Sequence, residues 1–200
     1  MNGQGHGSRI PNRRAVLKGA SVLGLAGVAS AAFAQDVLAD LDATGLAQKV
    51  RAREVTPLEL LEAAINRAEA VNGRLNCLSE TLYDRARARA DRIAPEGAFA
   101  GVPYLLKDET EFAGVRRHLG SRIDGSLAMS TKTNPTISRM KAAGVNVFGR
   151  TTMSEFGALP TTETEAYGIT RNPWSLQHTP GGSSGGAAAA VAAGIIPMAD

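Results

Sequence analysis

Apolar positions recur at helical spacing over residues 44–68. Thr44 is placed to cap a short helix with Leu46 and Val50 on one side. Thr56-Pro57-Leu58-Glu59 then marks a second start, where a cap, a first-turn proline and a reciprocal glutamate coincide. Leu61, Ile65 and Ala68 carry its apolar stripe, and Gly73 is predicted to stop it. Leu75 to Leu82 reads as a strand. The next helix runs through Ala86, Ala90 and Ile93; Arg85, Arg87, Arg89 and Arg92, interleaved with Asp84 and Asp91, read as its solvated face.

Pro95 to Gly101 is a turn-rich break. The apolar run Val102-Pro103-Tyr104-Leu105-Leu106 that follows is expected of a strand covered on both faces, and it ends abruptly in Lys107-Asp108-Glu109. Asn134-Pro135 opens a helix with Ile137 and Met140 inward, Gly144 closes it, and Val145-Asn146-Val147-Phe148 is the next predicted strand. Strands alternating with helices predict an α/β architecture around a largely buried mixed or parallel sheet. The chain shows no internal repeat, coiled coil or domain linker.

Composition fits a soluble globular chain, with 44% hydrophobic and 20% charged residues, so disorder throughout is excluded. The formal charge of +3 changes meaning once it is located. Residues 1–34 hold Arg9, Arg13, Arg14 and Lys18 and no acid, which leaves 18 bases against 19 acids in 35–200. A nucleic-acid binder needs its basic surplus on the folded part, and none is there. The one cysteine, Cys77, excludes an intrachain disulfide and a multi-cysteine metal site, and reads as a small buried apolar residue. His118 and His178 have no partner at metal-ligand spacing, and His6 lies in the leader, so no metal is assigned.

Asn12-Arg13-Arg14-Ala15-Val16-Leu17-Lys18 sets paired arginines before an apolar stretch too short and too rich in glycine and alanine to span a bilayer. Ala32-Phe33-Ala34 supplies an A-x-A cleavage site that makes Gln35 the mature N-terminus. The segment resembles a twin-arginine signal, although Asn12 and Val16 stand where that pattern prefers Ser/Thr and Phe. Residues 1–34 are therefore expected to engage the twin-arginine export machinery. A periplasmic or secreted location follows, with no stable membrane insertion after cleavage.

Two features carry candidate chemistry. Lys107 stands at the end of a buried strand, where an ammonium is either paired with a carboxylate or partly neutral and able to act as a base. Asp108 is adjacent but should point to the opposite face, so proximity in sequence does not make it the partner. The second feature is Thr179-Pro180-Gly181-Gly182-Ser183-Ser184-Gly185-Gly186, followed at once by the alanine run Ala187 to Ala193. Its glycines let the backbone approach a ligand closely, and a helix starting there turns its free amides toward the loop. A flexible linker, a phosphate cradle without a P-loop ending, and a catalytic serine loop all remain open on these residues alone.

Gly101-Val102-Pro103-Tyr104-Leu105-Leu106-Lys107-Asp108 together with Pro180-Gly181-Gly182-Ser183-Ser184-Gly185-Gly186 resembles the amidase signature family. The likeness extends over roughly residues 40–200 and takes in Thr151 to Gly157, Pro160-Thr161-Thr162-Glu163 and Arg171-Asn172-Pro173-Trp174. Those last segments look most like the branch that contains 6-aminohexanoate cyclic-dimer hydrolase. The resemblance implies the amidase signature fold, a mixed β-sheet core covered by helices on both faces. It also implies hydrolysis of small-molecule carboxamides, without a cofactor, by a Ser-cisSer-Lys triad acting through an acyl-enzyme.

By motif position Lys107 is then the base and Ser183 the bridging serine behind a cis peptide bond, with Gly181, Gly182, Ser184, Gly185 and Gly186 forming the supporting loop. Ser184 either steadies that loop by hydrogen bonding or supports the start of the following helix. Glu155, Phe156 and Tyr167 either line the substrate site or serve packing and helix-end bonding; Trp174 reads as a packed loop anchor. The family's nucleophile is expected about two dozen residues after the bridging serine, in an Asp-x-Gly-Gly-Ser stretch that also forms the oxyanion hole, which places it a few residues past Asp200. Residues 35–200 are thus expected to be the N-terminal portion of one amidase signature domain, truncated on its C-terminal side and inactive alone. A noncatalytic periplasmic protein holding a small ligand or anion is the alternative from another class. A transamidation subunit that acts on charged tRNA is disfavoured by the export signal and the near-neutral mature charge.

Overall fold

The computed structural model describes Leu38, residues 41–123 and residues 129–200. The leader expected over residues 1–34 and its expected cleavage site lie outside these described residues. Among the described residues no helix is long and apolar enough to cross a membrane.

Helix α1 (Ala43–Arg51) buries Leu46, Ala47 and Val50. Its cap is Asp42 rather than Thr44: the Asp42 carboxylate accepts from the Gly45 amide at 2.8 Å, so the helix starts ahead of the expected position. Helix α2 (Pro57–Leu75) begins with the full capping box, Thr56 and Glu59 each accepting from the other's amide. It buries Leu60, Leu61, Ala64, Ile65 and Ala68. The helix runs past Gly73 and ends at Asn76, whose φ of 49° turns the chain into the left-handed region. A glycine one turn early weakens a helix without being bound to end it, and packing of Leu75 extends this one.

Strand β1 (Leu78–Thr81) is shorter than expected, and α3 (Tyr83–Ala90) stops before Ile93. Arg85, Arg87 and Arg92 are exposed, as a solvated face requires, whereas Arg89 is drawn inward. Arg87 pairs with Glu62 at 2.6 Å on α2, and half-buried Arg89 donates to the Lys141 carbonyl at 3.0 Å. Strand β2 (Pro103–Lys107) is buried through Leu106. Helix α4 (Pro135–Ala142) is capped by Asn134, and β3 (Asn146–Thr151) runs three residues beyond the predicted Phe148 and is buried throughout. Beyond β3 come a single 3-10 turn (Glu155–Gly157), the two-residue strands β4 (Glu163–Thr164) and β5 (Gly168–Ile169), and helix α5 (Gly185–Ala192).

The main sheet has the order β1-β3-β2, with β3 parallel to β2 and antiparallel to β1. Alternation along the strands divides its side chains. Leu105 and Phe148 enter a core built with α1, α2 and α5, while Tyr104, Leu106 and Val147 enter one built with Ile137 of α4, Phe112, Val115 and Val145. Both faces are therefore covered, as the continuous apolar runs of β2 and β3 require. On the outer edge of β2, Ala199 pairs in parallel with Leu105, and the Asp200 amide donates to the Leu105 carbonyl at 3.1 Å.

Candidate active site

Lys107 sits at the C-terminal end of β2, and Ser183 lies two residues ahead of α5. The sheet–helix packing brings them together: Lys107 Nζ lies 2.8 Å from Ser183 Oγ. The Lys107 side chain is 12% exposed, so it approaches the serine from within the fold rather than from solvent. The peptide bond joining Gly182 to Ser183 is cis. The Ser183 carbonyl accepts from the Ser154 amide at 3.1 Å, which ties the loop to the segment following β3.

The glycines of the loop have separable reasons. Gly181 has φ +93°, a conformation that side chains disfavour. Gly186 is a point of close approach: a Cβ there would lie 2.5 Å from the Thr152 nitrogen and 2.6 Å from the Cys77 carbonyl oxygen. Its amide donates to the Thr152 carbonyl at 3.0 Å, so α5 meets the end of β3 backbone to backbone. Thr162, 1% exposed, spans the loop. Its hydroxyl donates to the Gly181 carbonyl at 2.9 Å and accepts from the Gly185 amide at 3.2 Å. Ser184 precedes α5, but its hydroxyl caps no helix amide.

The lysine has a carboxylate partner, and it is Glu109 rather than Asp108. Glu109 Oε1 stands 3.0 Å from Lys107 Nζ, and the glutamate is 44% exposed. Asp108 turns the opposite way and is fully buried, where it meets fully buried Arg150 at 3.7 Å. Asp108 also accepts from the Gly120 amide at 3.1 Å and the Tyr167 hydroxyl at 2.9 Å. Arg150 donates to the carbonyls of Arg116 and Asp108, each at 2.7 Å, and to that of Thr110. It thereby holds the turn that follows Lys107. Burial pulls the Arg150 guanidinium below its usual range, with the Asp108 charge opposing. Burial, then the Asp108 charge, push the Tyr167 phenol upward.

Tyr167 thus bonds behind the lysine, edge-on to His118. Glu155 is exposed, and Phe156 is 52% exposed with φ +50°. Trp174 is 38% exposed and does not anchor its loop; Asn172 does, accepting from the Trp174 amide and donating to the Thr179 carbonyl. Sequence reasoning missed Glu109, Thr162 and Arg150. A signal existed for the first, since Glu109 is two residues from Lys107 and period-two alternation returns it to the lysine's side.

An amine in contact with a serine hydroxyl, seated where a glycine loop meets a helix start, can exchange a proton with that hydroxyl. The chain matches the family model Amidase over residues 59–200. It is 43% identical over 161 residues to 6-aminohexanoate-cyclic-dimer hydrolase from Paenarthrobacter ureafaciens, covering 79% of this chain and 32% of that one. It is 42% identical over 161 residues to the protein of the same name from Pseudomonas sp. (strain NK87), again covering 79% of this chain and 32% of that one. Among solved structures, a 6-aminohexanoate cyclic dimer hydrolase superposes with a TM-score of 0.75 at 41% identity, over 82% of this chain and 33% of the other. The chain spans about a third of the length of the curated relatives it matches.

Proposed function

This chain belongs to the amidase signature family, and from that membership we propose that the complete protein hydrolyses the carbon–nitrogen bond of small carboxamides through a Ser-cisSer-Lys triad. The observation that carries the reading is the 2.8 Å contact between Lys107 Nζ and Ser183 Oγ. Neutral Lys107 takes the Ser183 hydroxyl proton while Ser183 takes the proton of a nucleophilic serine. That serine attacks the amide carbon. The resulting ammonium returns its proton through Ser183 to the departing amine, and water resolves the acyl-enzyme by the reverse route.

The backbone direction at Ala199 and Asp200 supports a place for the nucleophile. It runs parallel to β2, toward the end that bears Lys107. A serine on a continuation of this segment in the complete protein arrives beside the Lys107–Ser183 pair, with its neighbouring amides available as an oxyanion hole.

The test is hydrolysis of a panel of linear primary and cyclic amides, read as ammonia released from the former and as the newly freed primary amine of the ring-opened latter, by the full-length protein and its Lys107→Ala and Ser183→Ala variants. Each variant is expected to lose about 10³-fold or more in kcat while remaining folded. A Ser183→Ala enzyme with parental turnover overturns the triad. A full-length protein that binds amides without turning any over overturns the hydrolase reading.

A further inference from the structure

Glu109 is the feature of this site that the triad chemistry does not use. Asp108 is balanced by buried Arg150 and faces away from the serine, so its charge is spent inside the fold. Glu109 has Lys107 alone as its counterweight, with no buried cation behind it. Its Oε1 is engaged by Lys107 Nζ at 3.0 Å, and its Oε2 takes no hydrogen bond from any described residue. That oxygen shares a gap with the bridging serine: a Cβ built on Gly157 would lie 3.5 Å from Glu109 Oε2 and 3.9 Å from Ser183 Oγ. Gly157 keeps this gap open between the carboxylate and the serine, and at 44% exposure the carboxylate is reachable from solvent.

We propose that Glu109 is a specificity-determining residue that sets the charge of the amides this protein accepts, favouring those that bring a cationic or neutral group beside the cleaved bond and rejecting those that bring a carboxylate. The proposal rests on the amide-hydrolase reading. When Lys107 is neutral, as its role of proton acceptor requires, the Glu109 charge loses its partner while substrate occupies the site. A substrate carboxylate then meets an uncompensated like charge at short range, and a substrate ammonium takes the place the lysine has vacated electrostatically. At a half-exposed position, screened by solvent and salt, the effect is about tenfold for each sign of charge.

Three primary amides of equal chain length isolate the effect: 4-aminobutanamide, pentanamide and succinamate. Their kcat/KM values, read by ammonia release from the full-length protein, are expected to fall in that order. In the Glu109→Gln enzyme the ratio between the first and the last is expected to shrink about tenfold or more, whereas Glu109→Asp keeps the order. Any general effect of losing the Lys107 partner is shared by all three substrates and cancels in the ratio. Turnover with the same ratio in parent and Glu109→Gln enzymes overturns the proposal and leaves the hydrolase reading standing. Absence of turnover with these three and with every other amide of the linear and cyclic panel overturns both.

Discussion

Arg150 and Asp108 sit with no exposure at the rear of the candidate site, and neither charge is tolerable there without the other. Arg150→Met in the full-length protein is expected to lower unfolding free energy by about 3–5 kcal/mol, because the Asp108 carboxylate stays buried without its counter-ion. Denaturant titration checks this, and the double variant with Asp108→Asn should recover part of the loss; equal loss in both means that the pair is not coupled. This pair marks the limit of single-residue reading. Lys107 was legible because a cation closing a buried apolar run demands an explanation. Arg150 was not, because two residues after Phe148 an arginine passes for the end of a strand, and its four carbonyl partners lie between 34 and 43 residues away. Cys77 read correctly as a buried apolar residue. It has no exposure, and burial pushes its thiol up to about 12, far from nucleophilic use.

Elements were legible where local chemistry decides them. Thr56, Pro57 and Glu59 fix the start of α2 within four residues, and the structure holds both capping bonds. Thr56→Ala is expected to cost about 1 kcal/mol, measured as a shift of the denaturation midpoint with unchanged slope. No shift at all shows that the proline and tertiary packing suffice. Ends governed by packing were misread: α2 outlasts Gly73, and β3 continues through Arg150 and Thr151 because both remain buried inside the sheet. The helix after the glycine loop was legible from its alanines. The grip of Thr162 on that loop was not, since its partners at Gly181 and Gly185 become neighbours only after folding.

Across the whole molecule, alternation of strand and helix announced a buried mixed or parallel sheet, but not its β1-β3-β2 order, which rests on pairings between distant segments. The charge distribution has its consequence at this scale as well. We propose that Arg13 and Arg14 direct the folded protein out of the cytoplasm. Replacing both by lysine is expected to abolish periplasmic accumulation of the full-length protein in cell fractionation, and unchanged accumulation rules the twin-arginine route out. The meeting of α5 and β3 at Gly186 bears on how such a protein changes over generations. Side chains act as spacers in most of the core, so each replacement there resets the separation of the elements they keep apart. At Gly186 the spacer is main chain, whose dimensions no replacement elsewhere can alter. A lineage can thus exchange core residues while the interval from strand end to Ser183 is inherited unchanged.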